Sequence, residues 1–145
     1  MDQIFYKEWF QGFAKGLDVL EADSRSCLLK QCAKKCADTG VLEMYQKLHE
    51  EVKEDCDAFY TRINELGGVR SEIIVPDKVY HIIFPACVCD LHTTAGINTP
   101  NLCECSRQSI IYVGEKIWGT TDFEVQCLGT ILSGAKECTF KVTFK

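Results

Sequence analysis

The sequence lacks several features that would indicate a function class at once. It has no Lys/Arg cluster interleaved with aromatic residues, and its net charge is -5, so nucleic-acid binding is not expected. No apolar run approaches the roughly 18 residues that span a membrane, so no membrane partner is expected. No basic segment followed by an apolar run opens the chain. This is not the pattern of a signal peptide, and it predicts a cytoplasmic protein.

The common catalytic motifs are missing as well. There is no Gly-x-Ser-x-Gly elbow, no phosphate-cradling glycine-rich loop and no His-Glu-x-x-His motif. Only 3 histidines are present, and none stands beside an obvious triad. A cysteine nucleophile assisted by His81 or His92 stays open. Whether the chain is an enzyme therefore stays open too.

Cysteine, by contrast, is abundant, with 10 in 145 residues. In a reducing compartment such a count indicates metal binding or reactive thiols rather than disulfides. Two Cys-x-Cys pairs bracket a polar loop rich in turn residues, within residues 87–105. Four thiols at the two ends of one loop can converge on one point, and a soft divalent metal would hold that loop shut.

We therefore expect the loop to hold one zinc ion through its four thiols. These are Cys87, Cys89, Cys103 and Cys105. An iron–sulfur cluster and metal-free thiols are the alternatives. Zinc sites more often use a Cys-x2-4-Cys spacing, so each pair could instead supply a single ligand. His92, Cys32 or Cys36 would then complete the site.

Four other cysteines have more than one interpretation. Cys32 and Cys36 are four residues apart in a predicted helix, so they share a face, and lysines beside them favour a thiolate. They are core residues, metal ligands or reactive thiols, and we expect at least one of them to face the loop. Cys127 and Cys138 fall on apolar strand faces, which predicts core cysteines or a second thiol site.

Hydrophobic periodicity predicts an α+β fold in a single domain over residues 1–145. Helices are expected over residues 3–20, 25–38, 41–66 and 107–118, the second capped by Asp23 or Ser24 and ended by Thr39-Gly40, the fourth capped by Ser106. Short β-rich runs at 72–75 and 79–84 form one hairpin, and strictly alternating runs at the end of the chain form another. The N-terminal helices would pack on an antiparallel sheet, followed by the Cys-rich loop and a C-terminal helix plus β-hairpin.

Large apolar residues on the predicted inner faces should be buried together. They are Trp9, Phe13, Leu48, Val52, Phe59, Ile110, Ile117, Phe123, Val125, Phe140 and Val142.

Roughly the last 60 residues resemble the close of a four-vinyl-reductase-like domain. The segments that carry this resemblance are Cys103-Glu104-Cys105-Ser106, the helix ending at Gly119, Ser133-Gly134 and Cys138-Thr139-Phe140-Lys141-Val142. The family usually has a cysteine four residues before the turn glycine, where this chain has Thr130, so only Cys138 matches a family cysteine. The paired Cys-x-Cys segments also resemble small bacterial proteins related to 2-amino-thiazoline-4-carboxylate hydrolases.

The first resemblance implies helices on one side of an antiparallel sheet around a small-molecule pocket, with zinc-bound cysteines in some members. We therefore expect a cytoplasmic small-molecule-binding or sensor domain with a structural zinc in the Cys87–Cys105 loop. The alternative is a hydrolase of a small sulfur-containing heterocycle that uses a metal or cysteine centre. A homodimer stays open.

Overall fold

The computed structural model describes residues 2–145 and has the α+β architecture. Its helices and strands are α1 (Gln3–Val19), α2 (Ala22–Cys36), α3 (Leu42–Val52), α4 (Cys56–Ile63), β1 (Arg70–Val75), β2 (Val79–Phe84), α5 (Asp90–Thr93), α6 (Glu104–Trp118), β3 (Phe123–Gly129) and β4 (Cys138–Phe144). Short 3-10 turns at Pro100–Cys103 and Ile131–Ser133 precede α6 and β4.

The four strands form one antiparallel sheet in the order β1-β2-β4-β3. Each outer pair is a hairpin, as the alternation predicts, and the central pair joins strands distant in sequence. In that pair Phe140 lies opposite Ile82, and Val142 opposite Tyr80. These four side chains are buried and belong to one core together with residues of the helices, so one face of the sheet carries the helical layer.

The main core lies between this sheet face and helices α3, α4 and α6. Its aromatic rings interlock: Tyr60 stacks on Tyr80 with ring centroids 4.0 Å apart, and Phe59 meets Trp118 edge-on at 5.2 Å. Aromatic pairs of this kind add about 0.5–1.5 kcal/mol beyond the burial of their area. The core is therefore held mainly by the hydrophobic effect and by ring packing.

The prediction of one helix over residues 41–66 is wrong, because the chain breaks between α3 and α4. Lys53 has a φ of 55°, outside the helical region, and the Asp55 carboxylate accepts the backbone N–H of Ala58 at 3.0 Å to begin α4. The break redirects the chain so that α4 packs against β1 while α3 packs against α6. The residues on both sides of the break keep helical periodicity, and the pattern alone therefore predicts one helix.

The predicted start of α2 also needs correction. The helix begins at Ala22 after Glu21, without a side-chain cap, so neither Asp23 nor Ser24 caps it. The predicted stop at Thr39-Gly40 is confirmed, because Gly40 has a φ of 151° and a ψ of -35°, outside the helical region, and the chain kinks there before α3.

Most of the predicted core is buried in the main cluster. Seven of its members are nearly inaccessible: Leu48, Phe59, Ile117, Phe123, Val125, Phe140 and Val142. Val52 and Ile110 pack against this cluster as half-buried residues. The expectation for Trp9 is wrong, because its side chain is 56% exposed on the solvent face of α1.

A second, smaller cluster lies apart from the main core, and α1 contributes to it instead. Its buried members are Ala14, Leu17, Leu29, Ile97 and Leu102. Phe13, predicted to lie in the main core, packs here, as do Cys89 and Cys105. The small cluster therefore connects α1 and α2 to the Cys-rich loop and to the start of α6.

Candidate functional site

All ten cysteines carry free thiols, and eight of them gather in one region. The two outside it are Cys27, exposed on α2, and Cys56, half-buried against the main core. Burial, followed by the nearby charges of Asp77 and Asp57, raises the pKa of Cys56 to about 11. A thiol with such a pKa is protonated at neutral pH and is not activated as a nucleophile.

Three of the eight thiols lie at one end of the sheet. Cys138 begins β4 directly opposite Phe84, the last residue of β2, and Cys87 follows Phe84 by three residues. On the other side of β4, Cys127 lies opposite Phe140 and so occupies the same sheet face. The strand order therefore brings Cys87, Cys127 and Cys138 to one end of the sheet.

Cys103 approaches this sheet end from the turn that precedes α6. It lines a cavity of about 260 Å³ together with Cys127 and Thr130. Burial raises the pKa of Cys103 to about 11, a hydrogen bond from Thr130 opposes that rise, and the charges that Cys138, Cys87 and Cys127 would carry add to it. The backbone N–H of Ile131 donates to the Cys138 sulfur at 3.3 Å.

The other four thiols lie on the helical side. Cys89 is the N-cap of α5 and Cys105 is in the first turn of α6, and both pack in the small cluster that contains Leu29 of α2. Burial raises the pKa of Cys105 to about 12, and the neighbouring thiols Cys36, Cys89, Cys32 and Cys103 add to the rise. Helix α2 packs against α6, so the charges that Cys32 and Cys36 would carry act on Cys105, but both of these thiols are exposed and neither is the core residue that the sequence allowed.

Cys89 connects the two sides. Burial raises its pKa, the backbone N–H groups of Leu91 and His92 oppose that rise, and Cys87 and Cys36 add to it. Backbone N–H groups that face a sulfur stabilise its thiolate form, which is also the form that binds metals.

A polar network fixes the start of α6 against α2. The Ser26 hydroxyl donates to Glu104 at 3.0 Å, and Glu104 also accepts from Arg107 at 2.7 Å and from Gln108 at 2.9 Å. Burial alone would raise the pKa of Glu104, but these donors and the Arg107 charge hold it below its usual value. Because Glu104 stands between Cys103 and Cys105, the network fixes the positions of both cysteines.

His92 lies one turn after Cys89, in α5. Its Nδ1 is 2.7 Å from the carbonyl oxygen of Ile97, which can only accept, so Nδ1 carries the proton. Because Nδ1 is engaged by this carbonyl, Nε2 is the ring nitrogen that remains available to a metal, the arrangement common among metal-binding histidines.

The four loop thiols thus lie in one region, although the members of each pair have different neighbours. Cys105 was expected just before a helix that Ser106 caps; instead α6 begins at Glu104 with Cys103 as its N-cap. Over residues 2–145, no three side chains among His, Cys, Asp and Glu are positioned to hold a metal ion as they stand. The expectation of a core cysteine is wrong for Cys127, which is exposed, whereas Cys138 is half-buried against the main core. The sequence pattern did not show that Cys103 shares a cavity wall with Cys127.

Within the described part of the chain, none of the helices combines the length and apolar character that a membrane crossing requires. The sequence matches no family model and no curated protein. A solved structure resembles it: a trafficking protein particle complex subunit 3 from Naegleria fowleri, covalently bound to palmitic acid, with a TM-score of 0.51 and 11% identity over 99% of this chain and 92% of that one. At this identity the likeness shows a shared fold alone.

Proposed function

We propose that the chain is a small-molecule-binding domain of the cytoplasm in which cysteine-bound zinc ties the helices to the sheet. The observation that carries this proposal is the gathering of eight thiols from α2, the Cys-rich loop, the start of α6 and the C-terminal hairpin. Eight thiols in one region of a free-thiol protein match the ligand preference of a soft divalent cation.

The raised pKa values argue against nucleophilic catalysis. A reactive cysteine needs a lowered pKa, whereas burial and neighbouring thiols raise the pKa of Cys103 to about 11 and that of Cys105 to about 12. A bound divalent cation would deprotonate its thiol ligands and neutralise the repulsion between neighbouring thiolates.

The cavity beside Cys103 is the ligand pocket in this proposal. Its volume is about 260 Å³, and its wall includes the polar residues Ser26, Asn101 and Ser133 as well as the thiols Cys103 and Cys127. Pockets for drug-sized molecules run from about 300 to 1,000 Å³, so this one suits a smaller, polar ligand. The proposal holds for a monomer and for a homodimer alike.

Elemental analysis of protein purified without added metal tests the metal. We expect zinc in the wild type and its loss when Cys87, Cys89, Cys103 and Cys105 are all changed to Ser. Cys27→Ser is the matched control, because this thiol is exposed and lies outside the eight. Circular dichroism of each variant separates metal loss from unfolding.

Three other results of these measurements would change the proposal. Protein that is purified without metal and takes up no zinc on titration under reducing conditions would contradict the proposal. Iron and visible absorption would replace zinc with an iron–sulfur cluster. A metal with one coordination position open to water would favour the hydrolase alternative over the binding domain.

A further inference from the structure

The outer face of α1 carries an apolar strip that is open to solvent. Successive residues of an α-helix are about 100° apart, which places four apolar or small residues within about 60° of one another. They are Phe5, Trp9, Gly12 and Gly16. Phe5 and Trp9 are 51% and 56% exposed, and within residues 2–145 no neighbouring atom lies within 4 Å of the Cβ position at either glycine. The strip therefore has two large rings toward its start and open, flat backbone toward its end.

The charges of α1 do not suit a membrane surface. Helices that lie on membranes are rich in Lys and Arg along their polar face. Helix α1 with its N-cap has two lysines, Lys7 and Lys15, against three carboxylates, Asp2, Glu8 and Asp18. This balance favours a protein partner over a lipid surface.

The strip is complementary to a second copy of itself. We consider two α1 helices that pack antiparallel, with the two-fold axis at residues 10–11. This register places Phe5 opposite Gly16 of the second copy, and Trp9 opposite Gly12 of the second copy. Each ring then fills space that a glycine leaves, and the two backbones approach closely at the glycines. A single register therefore matches every large residue of the strip with a small one.

The same register brings opposite charges together along one flank of the strip. Glu8 and Lys15 both lie on that flank, and both are exposed. From a rise of about 1.5 Å per residue, Glu8 and Lys15 of the second copy are offset by about 3 Å along the helix axis. The two Glu8 side chains are further apart, at about 7.5 Å along the axis. Charge complementarity of this kind selects the register and the partner.

We propose that the outer face of α1 is the interface of a homodimer, in which the rings of Phe5 and Trp9 pack on the glycines of a second copy in an antiparallel helix pair. The interface lies apart from the cysteine-rich region and does not depend on the proposed zinc. Within its own chain α1 packs mainly on the turn Pro100–Cys103 and in the small cluster, away from the main core. A second copy supplies the contacts that this helix lacks.

The dimer should be reversible, because the strip is small. The 17 residues of α1 span about 25 Å, and a helix is about 10–12 Å wide. Stable interfaces cover roughly 800 Å² of each partner, which is more than one helix face of this size provides. Association should therefore depend on concentration, and dilution should return the monomer, in which the outer face of α1 is open.

Sedimentation velocity over a series of protein concentrations, under reducing conditions, tests the interface. Wild-type protein should pass from monomer to dimer as its concentration rises. Trp9→Glu should weaken association at least about tenfold, because a charge replaces the ring that packs on glycine. Gly16→Leu should weaken it as well, although it raises helix propensity, because its side chain fills the space for Phe5. The matched control is Ile74→Glu, which changes an exposed apolar residue of β1 and should dimerise like wild type.

A charge exchange tests the register itself. Glu8→Lys and Lys15→Glu should each weaken association by a few fold, and the double variant should restore it, because the pairs then re-form with reversed sign. Circular dichroism of dilute samples should show wild-type helix content in every variant, since these side chains are exposed in the monomer. A double variant as weak as the single ones would overturn the antiparallel register.

Two results would overturn the homodimer. One is wild-type protein that is monomeric at every concentration, and the other is a dimer that Trp9→Glu and Gly16→Leu leave intact. Binding of monomeric wild type to phosphatidylcholine vesicles, lost in Trp9→Glu, would assign the strip to a membrane instead.

Discussion

The main core and the small cluster of this fold are stabilised differently. The main core fills the space between the sheet and three helices with interlocked aromatic rings, and Tyr80, Ile63 and Phe140 in it are almost inaccessible. The small cluster has only Leu17, Leu29 and Ile97 at comparable burial, while Phe5 and Trp9 of the adjoining helix face solvent.

Hydrogen bonds supplement the small cluster where apolar contacts are few. Gln11 donates to the carbonyl of Gly96 at 3.1 Å, and Asp18 accepts from Thr99 and, at 2.8 Å, from Asn101. A hydrogen bond contributes about 1 kcal/mol net, so these bonds position the loop without replacing a core. Among the gathered thiols, Cys89 and Cys105 pack in this weaker region, whereas Cys138 packs against the main core.

The difference in packing between the two regions can be tested by truncating one buried side chain in each. Phe140→Ala should cost about 3–5 kcal/mol, since Phe140 is enclosed by neighbours from both layers. Leu29→Ala should cost about 2 kcal/mol, because the small cluster can collapse around the gap. Urea unfolding measures both. Equal costs would show that the small cluster packs as tightly as the main core.

A second test adds a methyl group in each region. A Cβ at Gly114 of α6 would lie 2.7 Å from the Phe123 ring, so Gly114→Ala should destabilise by about 1–3 kcal/mol. At Gly12 of α1 no atom lies within 4 Å, so Gly12→Ala should stabilise by about 0.5–1 kcal/mol through helix propensity. Thermal unfolding gives both values. A destabilising Gly12→Ala would mean that another surface closes on α1.

The smallest effects should come from one carboxylate in each region, the exposed Asp18 and the half-buried Asp57. Hydrogen bonds from Thr99 and Asn101 lower the pKa of Asp18, and those from the Asp77 N–H and Tyr80 lower the pKa of Asp57. A lowered pKa means that the stabilisation is present above the unfolded value of 3.8 and is lost as pH falls through the folded pKa.

Asp18→Asn and Asp57→Asn should therefore each lower the melting temperature slightly at pH 7, and the difference from wild type should shrink below about pH 4. Melting curves between pH 2 and 7 measure this. A difference that persists unchanged in acid would assign the effect to lost packing instead of charge. Asp2→Asn, at the N-cap of α1, is a control carboxylate outside both contacts.

Features determined by neighbouring residues were predictable from the sequence. Both hairpins and the end of α6 at Gly119, with a φ of 64°, follow from alternation and from glycine chemistry. The break at Lys53 was not predictable, because helical periodicity continues across it. The exposure of Trp9 was missed for a different reason: helical spacing marks an apolar face of α1 but not how much of it finds a partner.

The candidate site shows the same limit. Cysteine spacing is a local signal, and it marked the Cys-rich loop and α2 as the two thiol-bearing segments. Which thiol of each pair faces which partner depends on the direction of α6 and on the strand order, and both are set by tertiary packing. The Glu104 network that orients α6 joins residues 78 positions apart in sequence, beyond the reach of any local pattern.

The strand order has a consequence for folding kinetics. The hairpins β1-β2 and β3-β4 join adjacent segments and can form early, whereas the central β2-β4 pair must close a chain segment that contains the Cys-rich loop and α6. Only that closure brings Cys87 beside Cys138. The proximity of Cys87 to Cys138 therefore marks the completion of the sheet, after its two hairpins have formed.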